Sequence, residues 1–149
     1  MHLTTIDPEK SICTLINVFT VAPEKQVELY ELLKTATEEV MENLPGYISA
    51  NLHVSHDKKT VTNYAQWATV EDFQNMLQNE EAQIHMKKAA SLAIEFKPVT
   101  YAEIWSHAKP DYGMEDIQVL EDFSYLNRGI LGNSVVAPCK SRQFLKKPE

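Results

Sequence analysis

Two asparagines and one tryptophan interrupt strand patterns that are otherwise apolar. Asn17 lies between Leu15 and Phe19, in a run whose alternate residues share one face of a strand. Asn63 and Trp67 share one face of a later strand. A buried amide is costly unless it finds a hydrogen-bond partner, and an indole can stack on a ring or donate its N–H. These three residues are therefore candidates for a site that binds a flat ring system.

A structural role is the alternative for each of the three. Asn17 can bond a loop or a neighbouring side chain, and Asn63 can serve the hairpin that contains it. Trp67 can be a core aromatic at the end of its strand. The strand pattern alone is compatible with either role.

The histidines lack the spacing of a metal site. His53 and His56 are three residues apart, so on a strand their side chains face opposite ways. His85 falls on a predicted helix without a second histidine or a carboxylate set at ligand spacing, which favours a surface or pocket-edge position over a metal ligand and leaves general acid work open. The sequence also has no Gly-rich phosphate loop and no Gly-x-Ser-x-Gly motif. We therefore expect neither a metal nor another cofactor.

The elements that carry these residues follow the order β-α-β-β-α-β. Period-two patterns predict strands over residues 12–21, 47–55, 61–67 and 99–106. Amphipathic helices are predicted from Pro23 to Leu44, before Pro45-Gly46, and from Val70 to Ala93, after a Thr69–Asp72 capping box. This order indicates a ferredoxin-like α+β fold, with two helices on one face of an antiparallel sheet.

The first and last strands carry apolar residues on both faces, so one layer of helices leaves apolar sheet surface uncovered. Face-to-face dimerisation would cover it. We assign residues 1–108 to the ferredoxin-like domain and residues 109–149 to a C-terminal extension. Four apolar residues at near-helical spacing predict that this extension packs across the dimer: Ile117, Leu120, Phe123 and Leu126.

Composition excludes several classes of partner. The chain of 149 residues has a net charge of -7 and no basic stripe, so nucleic acid is not expected. No apolar run approaches the ~20 residues that a bilayer requires, and the N-terminus lacks the pattern of a signal peptide. We expect a cytoplasmic protein with no membrane partner. Cys13 and Cys139 are the only cysteines and are expected to be separate reduced thiols.

Several segments together resemble the antibiotic-biosynthesis monooxygenases, over about Ser11 to His107. The most specific is the pentapeptide Asn63-Tyr64-Ala65-Gln66-Trp67. The others are Ile16-Asn17-Val18-Phe19, Pro45-Gly46-Tyr47-Ile48-Ser49-Ala50, Leu52-His53-Val54-Ser55 and His85-Met86. Within that family the chain is similar to the polyketide anthrone oxygenases.

The resemblance implies a homodimer that forms a dimeric α+β barrel and oxygenates a small aromatic substrate, an anthrone or quinol, with O2 and no prosthetic group. It implies catalytic roles for Asn17, Asn63 and Trp67, which would stabilise a substrate anion. We expect the substrate pocket to be lined by Phe19, Leu52, Phe73, Met76, Leu77 and His85.

The chain departs from the family at two positions and leaves two other functions open. Phe73 and Lys87 stand where some members carry Tyr and Arg, so a tyrosyl proton donor is not expected at position 73. Heme-degrading relatives share the fold, although Met76 replaces the tryptophan of their second helix. A non-catalytic ligand-binding or regulatory dimer is the third possibility, because fold does not fix function.

Overall fold

The computed structural model describes residues 2–109. The chain divides into two units, Met1–Trp105 and Ser106–Glu149, and the strands and helices named below belong to the first. Residues 110–149, which include the four apolar residues of the predicted extension, lie outside the described residues. The packing of that extension stays a prediction.

Four strands and three helices form the first unit. The strands are β1 (Cys13–Val21), β2 (Tyr47–Val54), β3 (Thr60–Trp67) and β4 (Ala93–Tyr101), and the helices are α1 (Gln26–Glu39), α2 (Val70–Leu77) and α3 (Glu80–Leu92). Every pairing is antiparallel, and the strand order is β2-β3-β1-β4. The predicted ferredoxin-like α+β fold is confirmed.

Helix α1 lies within the helix predicted from Pro23 to Leu44 but is shorter than it. Its buried face carries Leu29, which has no exposed surface, whereas Val27 is 71% exposed. Gln26 is buried too, because its amide donates to the carbonyl oxygens of Ser55 and Thr60 at 3.2 and 2.9 Å. These bonds tie the start of α1 to the β2–β3 turn.

The single second helix predicted for residues 70–93 is wrong, because the chain breaks it into α2 and α3. Asn79 caps α3: its side chain accepts a hydrogen bond from the Ala82 N–H at 2.9 Å. An asparagine at this position satisfies a backbone amide that the helix itself cannot. The predicted cap of α2 is confirmed, since the Thr69 hydroxyl accepts from the Asp72 N–H at 3.0 Å.

Strand β4 begins six residues earlier than the predicted start at Val99 and runs through Pro98. The predicted strand began only after Pro98. Among the strands of residues 2–109, β4 pairs with β1 alone and is therefore an edge strand. An edge strand tolerates proline, because a missing N–H that points away from the neighbouring strand breaks no ladder bond. The earlier start places Phe96, Pro98 and Thr100 on the helix-facing side, opposite Phe19, Asn17 and Leu15.

N-terminal residues cover part of the other sheet face. The buried Gln66 accepts a hydrogen bond from the Ser49 hydroxyl at 2.8 Å and donates to the Thr5 carbonyl at 3.0 Å. The Thr4 hydroxyl donates to Asn51 at 2.8 Å. Apolar groups on β1 and β4 of this face stay exposed, Val18 at 38% and Val99 at 37%. Within residues 2–109, no helix combines the length and the apolarity needed to cross a membrane.

Candidate active site

A cavity of about 380 Å³ lies between the inner face of the sheet and the helices. This volume falls within the ~300–1,000 Å³ of small-molecule sites. Most of the lining is apolar, and it comes from all four strands and all three helices. The lining residues that solvent reaches most, Phe96, Pro98 and Thr100, are on the edge strand β4, so the cavity opens on that side.

Asn17 and Asn63 are paired across β1 and β3 and both line the cavity. Side chains of directly opposed residues share one face of a sheet, with Cβ atoms ~4.5–5.5 Å apart. The Oδ1 atom of each asparagine is buried and has no hydrogen-bond partner among the described residues. A buried polar atom without a partner costs ~1–3 kcal/mol, so two such atoms beside one cavity indicate a site for a polar ligand.

Trp67 forms an aromatic wall at one end of the cavity. It is 2% exposed, makes an edge contact with Tyr47 at a centroid distance of 5.6 Å, and packs against Phe73 at 6.4 Å. Tyr47 is also the register partner of Trp67 on β2. The structure thus allows both predicted roles of Trp67, because the ring packs in the core and also lines the cavity.

Tyr47 was not among the predicted site residues. Strand alternation did not reveal it, because the β2–β3 register shifts between Tyr47 and Ser49, and this shift brings Tyr47 opposite Trp67 on the same face. Burial, together with the negative charge of Glu42, raises the pKa of the Tyr47 phenol above its ordinary value. The side chain therefore stays protonated at neutral pH and can donate a hydrogen bond into the cavity.

His85 lines the cavity from α3, on the helix side, whereas the asparagines belong to the sheet. Its Nδ1 atom is buried and has no hydrogen-bond partner among residues 2–109. By contrast, the hydroxyl of Thr37 donates to the Leu33 carbonyl at 2.8 Å, so that lining group is already satisfied within α1. His85 is thus a third polar group with an unused hydrogen-bonding atom at this cavity.

The cavity brings together all the predicted site residues except Leu52. Those that line it are Asn17, Phe19, Asn63, Trp67, Phe73, Met76, Leu77 and His85. Leu52 is the register partner of Asn63, but it lies on the edge strand β2, which contributes only Tyr47 and Ala50 to the lining. Lys87, next to Met86 on α3, is exposed and is not a lining residue.

Other reactive groups of the described residues lie apart from this lining. Cys13 is buried and is not a lining residue, and burial raises the pKa of its thiol, so the nucleophilic thiolate is disfavoured. Among residues 2–109, no three His, Cys, Asp or Glu side chains gather as a metal site would require.

The sequence matches the family model described as antibiotic biosynthesis monooxygenase over residues 12–88, a segment that contains most of the cavity lining but not the part from β4. The chain belongs to this family. It is 42% identical over 91 residues to the tetracenomycin-F1 monooxygenase of Streptomyces glaucescens, a match that covers 61% of this chain and 81% of that protein. The family and this relative make the chain a monooxygenase.

Solved structures show the same fold. The monooxygenase ActVA-Orf6 of Streptomyces coelicolor, crystallised with Nanaomycin D, aligns with a TM-score of 0.60 and 24% identity, over 69% of this chain and 96% of its own. SnoaB of Streptomyces nogalater, described as a cofactor-independent oxygenase, aligns with a TM-score of 0.55 and 19% identity, over 66% and 99%. At these identities the alignments support the fold alone.

Proposed function

We propose that this monooxygenase uses O2 to oxidise an electron-rich aromatic substrate of the anthrone or quinol type, without a metal or flavin. The observation that carries the proposal is the pair of unpartnered amides, Asn17 and Asn63, in an otherwise apolar cavity. In this proposal both amides, with Trp67, hold the substrate as an anion. The relative named for tetracenomycin F1, and the neighbour described as cofactor-independent, support this choice.

The substrate supplies the reactivity that a cofactor would otherwise provide. Ground-state O2 is a triplet, so it reacts slowly with closed-shell organic molecules unless they give up one electron readily. The phenolate or enolate of an electron-rich polycycle does so. The protein then has to bind the substrate, stabilise its anion and limit the access of water.

The asparagines meet the second requirement. Each amide carries an NH2 donor group beside its Oδ1 atom, and rotation about the last side-chain torsion exchanges the positions of these two groups. In an apolar surrounding such donors interact more strongly with an anion than they do in water. Because the β1–β3 register places both residues opposite each other, the two amides lie side by side at the cavity before the substrate arrives.

The aromatic lining meets the first requirement. Trp67, Tyr47 and Phe73 present ring edges and faces at one end of the cavity, and Phe19 and Phe96 pack at 6.1 Å at another part of its lining. Offset and edge-to-face contacts with aromatic side chains favour a flat fused ring over an aliphatic chain of equal size. This favours an aromatic substrate.

An aerobic assay of protein dialysed against EDTA tests the function directly. It compares an anthrone, a quinol and hemin as substrates, and measures O2 consumed and product formed. We expect the anthrone or the quinol to be oxidised, with no stimulation by added flavin or divalent metal. Turnover of hemin alone would establish the heme-degrading alternative, and activity that depends on a restored metal would refute the cofactor-free reaction.

A further inference from the structure

We propose that His85 is the base that removes the substrate proton and later returns it. This inference rests on the proposed oxygenation, in which a carbon or oxygen acid must lose a proton before its anion can react with O2. The amides of Asn17 and Asn63 and the indole of Trp67 do not accept protons near neutral pH. Another lining residue must therefore do so.

Among the described residues that line the cavity, His85 and Tyr47 are the two with titratable side chains. Tyr47 is a protonated phenol at neutral pH, because burial and the charge of Glu42 oppose its ionisation. It can donate a proton but has none of the basicity required to remove one. An imidazole is the side chain that exchanges a proton most readily between pH 5 and 8.

The position of His85 suits this role. It faces the cavity from α3, opposite the sheet that carries the two asparagines, so a ring system between them would contact both. Its buried Nδ1 has no partner among the described residues, so this atom is free to contact a bound substrate. A histidine that served only the fold would be expected to use this atom.

Few charges act on His85 from the surrounding elements. The lining residues of α1, α2, β1, β3 and β4 include no titratable group, and β2 contributes Tyr47 alone. The charged residues of α3 itself, Glu80, Glu81, Lys87 and Lys88, are all exposed to solvent.

The proton balance can be written for an anthrone, whose reacting carbon is a CH2 group. The imidazole takes one proton and leaves the electron pair on carbon, and this carbanion adds O2 to give a peroxide anion. The imidazolium returns its proton to give the hydroperoxide. The imidazole then takes the second C–H proton, the C=O bond forms as the O–O bond breaks, and the departing hydroxide receives that proton as water. Anthrone and O2 thus become anthraquinone and water.

The test compares His85→Gln, His85→Ala and the wild type over a range of pH, with an anthrone as substrate. General base catalysis contributes ~10²- to 10⁴-fold, so we expect kcat to fall at least about 100-fold in His85→Gln. We expect KM to change little, because the glutamine keeps a polar group at the cavity. Lys88→Gln, an exposed change on the same helix, is the matched control and should behave as wild type.

Two further readouts separate a base from a structural residue. Added imidazole should restore part of the activity of His85→Ala, and the acidic limb of the wild-type profile should be absent in His85→Gln. Full activity with an unchanged acidic limb in His85→Gln would overturn the inference while leaving the proposed function intact. A wild-type protein that oxidises neither anthrone nor quinol would instead remove the proposed function. The pH dependence of kcat in the wild-type protein is a test by itself: absence of an acidic limb would count against His85 as the base.

Discussion

Asn17 and Asn63 lie opposite each other across β1 and β3, between two apolar pairs on the same sheet face. Leu15 faces Ala65 on one side, and Phe19 faces Val61 on the other. The strand register alone therefore places two amides side by side in an apolar layer. Neither Oδ1 atom has a partner among the described residues, so each carries a desolvation cost that a bound polar ligand would relieve.

The first prediction follows from that pair. Asn17→Ala and Asn63→Ala should each lower kcat by about 100-fold or more, because one oxyanion donor contributes ~3–4 kcal/mol to the transition state. Neither change should lower the melting temperature strongly, since neither Oδ1 atom is hydrogen-bonded within the described part of the chain. Asn51→Ala is the control: Asn51 lies on the other sheet face and bonds Thr4 and the Tyr64 backbone. Near-wild-type rates in both site variants would refute the assignment.

The second prediction concerns Trp67. Trp67→Phe should keep the packing against Tyr47 and Phe73 but lose the indole N–H and part of the ring face, so turnover should fall strongly in a folded protein. Binding can be followed separately in Trp105→Phe, where Trp67 is the only tryptophan left. An aromatic ligand should quench its fluorescence. Saturable turnover without any change in that fluorescence would place the substrate elsewhere.

The third prediction is that the chain is a homodimer joined through the outer sheet face. Val18 and Val99 are exposed there, and a lysine in an apolar interface would lose its hydration without a partner. Light scattering at micromolar concentration should show a dimer, and Val99→Lys should shift it towards monomer. Val27→Lys is the control, since Val27 is 71% exposed on α1. A wild-type monomer, or equal effects of both lysines, would contradict this interface.

The sequence predicted the element order and most of the site because strand residues obey a simple rule. Side chains alternate along β1 and β3, and this alternation is enough to place Asn63 and Trp67 on one face and Asn17 among apolar neighbours. Periodicity failed where side-chain capping overrode it, as at Asn79, which splits the second helix. Periodicity also failed for Tyr47. The β2–β3 register shifts between Tyr47 and Ser49, so simple alternation along β2 does not predict that Tyr47 lines the cavity.

The fourth prediction concerns Gly46, which directly precedes β2 in the chain and contacts residues near the start of α2. Its φ is +82°, its carbonyl accepts from the Ala68 N–H at 2.7 Å, and an added Cβ would overlap the side chain of Asp72. Gly46→Ala should therefore lower the free energy of unfolding by about 2 kcal/mol or more, the left-handed backbone alone accounting for ~1–2 kcal/mol. Denaturant titration measures this loss. The double variant Gly46→Ala/Asp72→Ala should lose less than the sum of the single changes, and strict additivity would show that the overlap has no effect.

The last prediction concerns the ionisation of Tyr47. Its pKa is raised in the folded protein by burial and by Glu42, so on raising the pH the unfolded chain loses this proton first. The stability that depends on the protonated phenol is therefore complete below the ordinary value of 10.0 and is lost as the pH rises through the folded pKa. The difference in tyrosinate absorbance between wild type and Tyr47→Phe should titrate above pH 10, and Glu42→Gln should move that titration to lower pH. Glu38→Gln, an exposed change on α1, is the control and should leave it in place. A difference titration centred at or below 10 would show that burial and Glu42 do not oppose the ionisation of this phenol.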